Sequence, residues 1–213
     1  MSNEILYVLL PDYAAHEAVY LSEAVASDAR SLKTDPKYVN RVVAPTMEPV
    51  RSIGGGRLLP DYALDALPDD YAALVLIGGF GWATPVAAKV VPALRDAVAR
   101  GKIVGAICNA ASFMAAHGFL NDVRHTGNGL EQLRLWGGEN YTNAGMYVHA
   151  QAVSDRNIVT ANGSGAIEFA RELLLLLQND TPQNIEMYYQ FNKQGFCALF
   201  PETGHTVSED ENR

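Results

Sequence analysis

The chain is short of the features that mark several classes of protein. Its 213 residues include two cysteines, Cys108 and Cys197. Two is too few for a disulfide framework or a four-ligand structural zinc site, and it suits a reducing, cytoplasmic setting. Basic residues are scarce: 16 Lys and Arg stand against 24 Asp and Glu, a formal net charge of −8. No Lys/Arg cluster interrupts that balance, so neither nucleic acid nor an anionic membrane is expected as a partner. The N-terminus lacks a basic segment followed by an apolar one, so no signal peptide is expected. The leucine run at residues 173–177 is far too short to cross a bilayer. No histidine pair has the spacing of a metal site, and no metal or cofactor is expected. Residues 79–83 (GFGWA) lack the third glycine of a dinucleotide loop and do not follow the first strand.

What is present is an ordinary globular balance, 48% hydrophobic and 19% charged residues, which argues against global disorder. The length suits one large domain, expected over residues 1–207, with a polar, frayed tail at 208–213. Residues 5–10 (ILYVLL) form a continuous apolar run, as in a strand buried on both faces. Ala14, Ala18, Leu21 and Val25 then recur at helical spacing. Further strands are expected at 38–44, 50–53, 72–77, 103–107, 146–153 and 158–161. Helices are expected at 84–100, 109–116, 130–135 and 166–178, and only short helical character over 58–71. Strands alternating with helices call for a mostly parallel sheet covered on both faces. The aromatic-rich segment 187–200 is expected to pack on its own domain with Cys197 in the core; capping a pocket or forming a dimer face are the alternatives.

In an open parallel sheet, ligands bind beyond the carboxyl ends of the strands. Three unusual features fall there. Cys108 stands where a strand runs straight into a helix, with small residues two positions to either side (Ala106 and Ala110), the pattern of a nucleophile elbow. The start of that helix should favour thiolate. A buried structural cysteine is the competing reading. Glu17 shares the inward stripe of Ala14 and Leu21, where a carboxylate is costly unless it is used; a partly solvated first-turn glutamate is the alternative. Gly78-Gly79 ends the central strand. With the N–H of Asn109 or Ala110 it could form an oxyanion hole, or it could simply be a tight turn. His125 is the candidate base beside Cys108, against the plainer reading of a solvated loop histidine. His16 is expected to face outward.

Residues 9–17 (LLPDYAAHE), 77–79 (IGG), 106–110 (AICNA) and 160–170 (TANGSGAIEFA) together resemble the successive landmarks of the ThiJ/PfpI superfamily, in order and separation, over roughly residues 4–178. The resemblance implies a flavodoxin-like three-layer α/β/α sandwich. It also implies a cysteine on a strained elbow (Cys108), a hydrogen-bonded glutamate (Glu17) and a Gly-Gly oxyanion turn. Homodimers are common among such proteins. Thr126, Asn128 and Gly163 are then expected to meet a small-molecule substrate. The departures are Asn109, where peptidase-like branches place a histidine, and His125, one residue ahead of the histidine of another branch. There is also no His-x-Glu pair after Cys108, which counts against glutamine hydrolysis. The activity implied is attack by Cys108 on a small electrophilic carbonyl or amide. Redox sensing through the same cysteine, and a binding module with an incidental thiol, are the rivals.

Overall fold

In the computed structural model, which describes residues 3–27, 33 and 35–201, the alternating apolar runs become strands of one sheet. β1 (Glu4–Val8) leads into α1 (His16–Ala26) and then β2 (Val39–Ala44). A small antiparallel hairpin, β3 (Val50–Arg51) with β4 (Arg57–Leu58), stands apart from the main sheet. β5 (Tyr62–Ala63), β6 (Ala73–Leu76), α2 (Val91–Ala99), β7 (Ile103–Ile107), α3 (Asn109–Ala116) and α4 (Leu130–Gly137) follow. β8 (Ala152–Asp155), β9 (Ile158–Ala161), α5 (Ala166–Leu177), α6 (Pro182–Gln194) and α7 (Phe196–Leu199) complete the described chain. The seven-stranded sheet runs β5-β2-β1-β6-β7-β9-β8, parallel except where β8 meets β9. This is a flavodoxin-like α/β fold.

Strand geometry explains the two cores. Side chains alternate across a strand, so β1 and the residues after it send Leu6, Val8 and Leu10 to one face and Ile5, Tyr7 and Leu9 to the other. The first face packs on Val90 and Leu94 before and within α2, and on Phe113 and Met114 of α3. The second packs on Leu21 and Val25 of α1 and on Phe169, Leu173 and Leu177 of α5. Each such side chain fully withdrawn from water stabilises the fold by about 1.5–3 kcal/mol. Gly105 lets α5 approach: a Cβ there would lie 2.8 Å from the Phe169 ring.

Four expectations need correction. Residues 58–71 contain no helix; they supply β4 and the short edge strand β5. Helix 84–100 is split into a 3-10 segment, Pro85–Val90, and α2, with Pro92 in the first turn of α2, where its missing N–H costs nothing. Residues 146–153 are not one strand. Only β8 pairs in the sheet, and Ala144–Met146 is a 3-10 turn. Cys197 is exposed rather than core. Its segment is only half docked: Ile185 and Tyr188 join the α1–α5 side, whereas Met187, Phe191, Phe196 and Phe200 face outward. The tail at 208–213 lies outside the described residues. Among the described residues, no helix is long and apolar enough to span a membrane.

Candidate active site

β7 delivers Cys108 and α3 begins directly after it. The cysteine pays for the sharp junction with a backbone few side chains adopt, φ +59° and ψ −128°. Both sides of the turn are clamped: the Cys108 N–H donates to Ala161 O at 2.9 Å, and the Ala111 N–H donates to Cys108 O at 3.1 Å. Ala106 and Ala110, fully buried, leave room for the bend. The thiol is half-buried.

Glu17, in the first turn of α1, is 2% exposed. Its Oε2 accepts the Gly78 N–H at 2.7 Å, and its carboxyl group is hydrogen-bonded to the Cys108 thiol. A methyl group on Gly163 would stand 3.1 Å from Sγ and 3.4 Å from Glu17 Oε1, so sulfur and carboxyl oxygen converge on one point. Asn128 completes the ring. Its Nδ2 donates to Sγ at 3.3 Å, while its Oδ1 accepts the Gly163 N–H at 2.9 Å, which fixes the donor end of the amide toward sulfur.

The electrostatics modify the expectation of a thiolate. Burial pushes the Cys108 thiol up, and the neighbouring Glu17 charge adds to this; the Asn128 amide and the Asn109 backbone N–H pull the other way without prevailing. Burial also raises the Glu17 carboxyl, opposed by the Gly78 N–H, the thiol and the His16 charge. The carboxyl group starts from a far lower ordinary value than the thiol. Burial disfavours the charged form of both groups, while the contact they share favours the carboxylate and disfavours the thiolate.

Several expected roles change. The Gly78 N–H is spent on Glu17 and is no oxyanion donor. The Asn109 N–H serves the sulfur, and its side chain is tied to Gly79 O at 2.9 Å and to Gln132 at 2.9 Å. The other two expected donors, Gly79 and Ala110, are both buried. Gly79 sits at φ +136°, against the Asp12–Tyr13 backbone, where no side chain fits. His125 is not beside the thiol. It is fully buried, with Nδ1 bonded to Val123 O at 2.8 Å and Nε2 to the Tyr141 hydroxyl at 2.6 Å, so neither nitrogen is available to Cys108. Thr126 cannot meet a substrate either: it is fully buried, its N–H on Thr160 Oγ1 and its hydroxyl on Ala150 O. His125 and Thr126 are internal, and Asn128, two residues beyond Thr126, is the one that reaches the sulfur.

Sequence reasoning missed His16 and Gln132. His16 is exposed as expected, yet its Nε2 reaches Gly163 O at 3.3 Å. Being next to Glu17 was the available signal for it; Gln132 carried none. Among the described residues, no three His, Cys, Asp or Glu side chains gather as a metal site would need.

Residues 4–176 match the DJ-1/PfpI family. The chain belongs to that family. It is 34% identical over 208 residues to an uncharacterized protease of Bacillus subtilis, covering 95% of this chain and 98% of the relative. It is 28% identical over 140 residues to a glutathione-independent glyoxalase of Caenorhabditis elegans, covering 64% and 72% respectively. The crystal structure of a ThiJ/PfpI family protein from Bacillus anthracis superposes with a TM-score of 0.84 at 27% identity, covering 94% of each chain.

Proposed function

We propose that this DJ-1/PfpI protein is a cysteine-dependent enzyme acting on small carbonyl compounds, with chemistry of the glyoxalase type. The observation that carries the reading is the convergence of Cys108 Sγ and Glu17 Oε1 on one point, with Asn128 holding the sulfur from the other side. In this reading Sγ bonds to the aldehyde carbon as Glu17 takes the thiol proton. The π pair moves to oxygen, which the Gly79 and Ala110 N–H groups receive. Glu17 then returns the proton to that oxygen, giving a hemithioacetal. For a 2-oxoaldehyde, moving the former aldehyde C–H proton to the adjacent carbon and the hydroxyl proton to the adjacent oxygen, through an enediol, yields the thioester of a 2-hydroxy acid. Water then releases a 2-hydroxy acid and restores the thiol. One carbon is oxidised and its neighbour reduced, so no outside oxidant is required.

The name of the C. elegans relative, a glutathione-independent glyoxalase, agrees with this chemistry. The name of the B. subtilis relative points to peptide cleavage instead. That chemistry calls for an imidazole to protonate a leaving amine, and the internal bonds of His125 argue against it here. The test is turnover of methylglyoxal by the wild type and by Cys108→Ser. Activity that survives the substitution, or no activity on any small aldehyde or acyl substrate, would overturn the reading.

One observation favours a redox role for the same atom. The Asn128 amide and the Asn109 N–H are donors that could equally hold the oxygen of a sulfenic or sulfinic acid. Intact mass after graded peroxide separates the two: oxygen should enter at Cys108 before the exposed Cys197. The homodimer belongs to the same proposal, and light scattering would give a mass twice the 23.1 kDa of the chain.

A further inference from the structure

Beside the sulfur lies a cleft of about 640 Å³ whose lining includes the Asn128–Gly163 pair. Those residues touch Cys108 on one side and border the cleft on the other. The remaining walls are chemically uniform. Tyr147, His149, Gln151, Asn162 and Ser164 present a phenol, an imidazole, two carboxamides and a hydroxyl, and among the described residues no carboxylate, ammonium or guanidinium lines the space. This is notable in a chain with a formal charge of −8. A second cleft, sharing Ala150 and Gln151, is lined by Glu168, Arg171, Glu172, Glu186 and Lys193. Its charges are already paired with one another: Arg171 with Glu172 and Glu186, and Lys193 with Glu168. Among the described residues, the charged side chains near the 150–151 segment thus line the second cleft and not the first.

The wall is built, not incidental. Ser164 Oγ donates to Asn162 Oδ1 at 2.7 Å, and Asn162 Nδ2 donates to Gln151 Oε1 at 2.5 Å, so these polar ends are held in place. The opposite wall is pinned by the residue expected to be a base: Val148 N donates to His125 O at 2.8 Å, and His125 pairs with Tyr147 as a parallel bridge. The Gln151 amide NH₂, the Tyr147 hydroxyl and the His149 ring have no protein partner among the described residues, and so stay open to a ligand.

We infer that this cleft is the specificity subsite of the Cys108 centre, and that it takes the uncharged, hydroxyl- or carboxamide-bearing part of a substrate whose carbonyl end reaches the sulfur past Asn128 and Gly163. The inference rests on the proposed carbonyl chemistry for its reactive end. An anionic substrate would have to give up its hydration without a cation to meet it, whereas a hydroxylated chain exchanges water for the wall's donors and acceptors.

The test uses one carbon skeleton with and without charge. Gluconamide and gluconate are each added to the intact protein, and alkylation of Cys108 by iodoacetamide is followed by mass. Gluconamide should slow the reaction and gluconate should not. Tyr147→Phe should weaken the protection by about fivefold, one hydrogen bond's worth, measured against the variant's own rate without additive. Equal protection by both compounds, protection by gluconate alone, protection by neither, or protection indifferent to Tyr147→Phe would overturn the subsite. Methylglyoxal turnover is measured on the same samples. Turnover without selective protection ends the subsite and leaves the carbonyl chemistry standing. Selective protection without turnover does the reverse.

Discussion

The backbone N–H of Gly78 points at Glu17 Oε2 from 2.7 Å, so the turn that ends the central strand holds the carboxyl group rather than a substrate oxygen. The glycine is obligatory for a packing reason. A Cβ there would run into that oxygen, lie 2.5 Å from Cys108 Cβ and lie 2.8 Å from Ile107 O. Gly78→Ala should therefore destabilise the protein by about 1–3 kcal/mol, the usual range for overpacking, and should disturb the Glu17–Cys108 contact. Urea denaturation reports the first effect, and the pH dependence of Cys108 alkylation reports the second.

Alkylation of wild-type Cys108 should rise with pH only above the range of an ordinary thiol, since burial and the Glu17 charge both disfavour the thiolate. Glu17→Gln removes the charge and keeps the shape. The midpoint should then move down, while turnover falls by about 10²–10⁴-fold with the loss of the proton acceptor. An upward shift of the midpoint would show that the carboxyl group favours the thiolate, contrary to the geometry.

His125 should prove structural. His125→Phe should leave kcat/KM within a few-fold of wild type once the lower stability is allowed for, because neither ring nitrogen serves the thiol. Burial holds the His125 pKa below its ordinary value. As pH falls through about 6.5 the unfolded chain binds a proton that the folded protein refuses, so this contribution to stability is present at higher pH and lost on acidification. Denaturation at several pH values should show that loss in the wild type and its absence in the variant.

Strain at the elbow can be read from two substitutions. With φ at +59° and ψ at −128°, Cys108 adopts a backbone that glycine tolerates and alanine does not. Cys108→Gly should therefore be more stable than Cys108→Ala by about 1 kcal/mol or more, the reverse of the order in ordinary helices and strands. Equal stabilities in thermal denaturation would mean that the turn stores no strain.

The sheet was legible because its central strands are short apolar runs closed by glycine or proline. Residues 5–10, closed by Pro11, and 72–77, closed by Gly78, are examples. Cys108 and Glu17 were legible for a related reason: each breaks the local pattern, one by its place at a strand end and the other by a charge on an inward stripe. The orientation of the 123–128 segment was not legible. His125 and Thr126 are consecutive and both turn inward, and the partners that hold them, Tyr141 and Thr160, come from distant parts of the sequence. Helix α6 had a local signal that went unread. Thr181 followed by Pro182 is a capped helix start, and Thr181 Oγ1 accepts the Asn184 N–H at 3.2 Å. The exposed Cys197 illustrates the opposite failing, because a segment rich in aromatic residues reads as core even when half of it faces solvent.

The sheet closes at one side on β5, which spans two residues and pairs only through Val43–Tyr62 and Ala44–Ala63. So brief an outer border offers a stray chain hardly any ladder to extend. The molecule can thus carry a strongly apolar set of inner strands without providing a template for fibril growth along that flank.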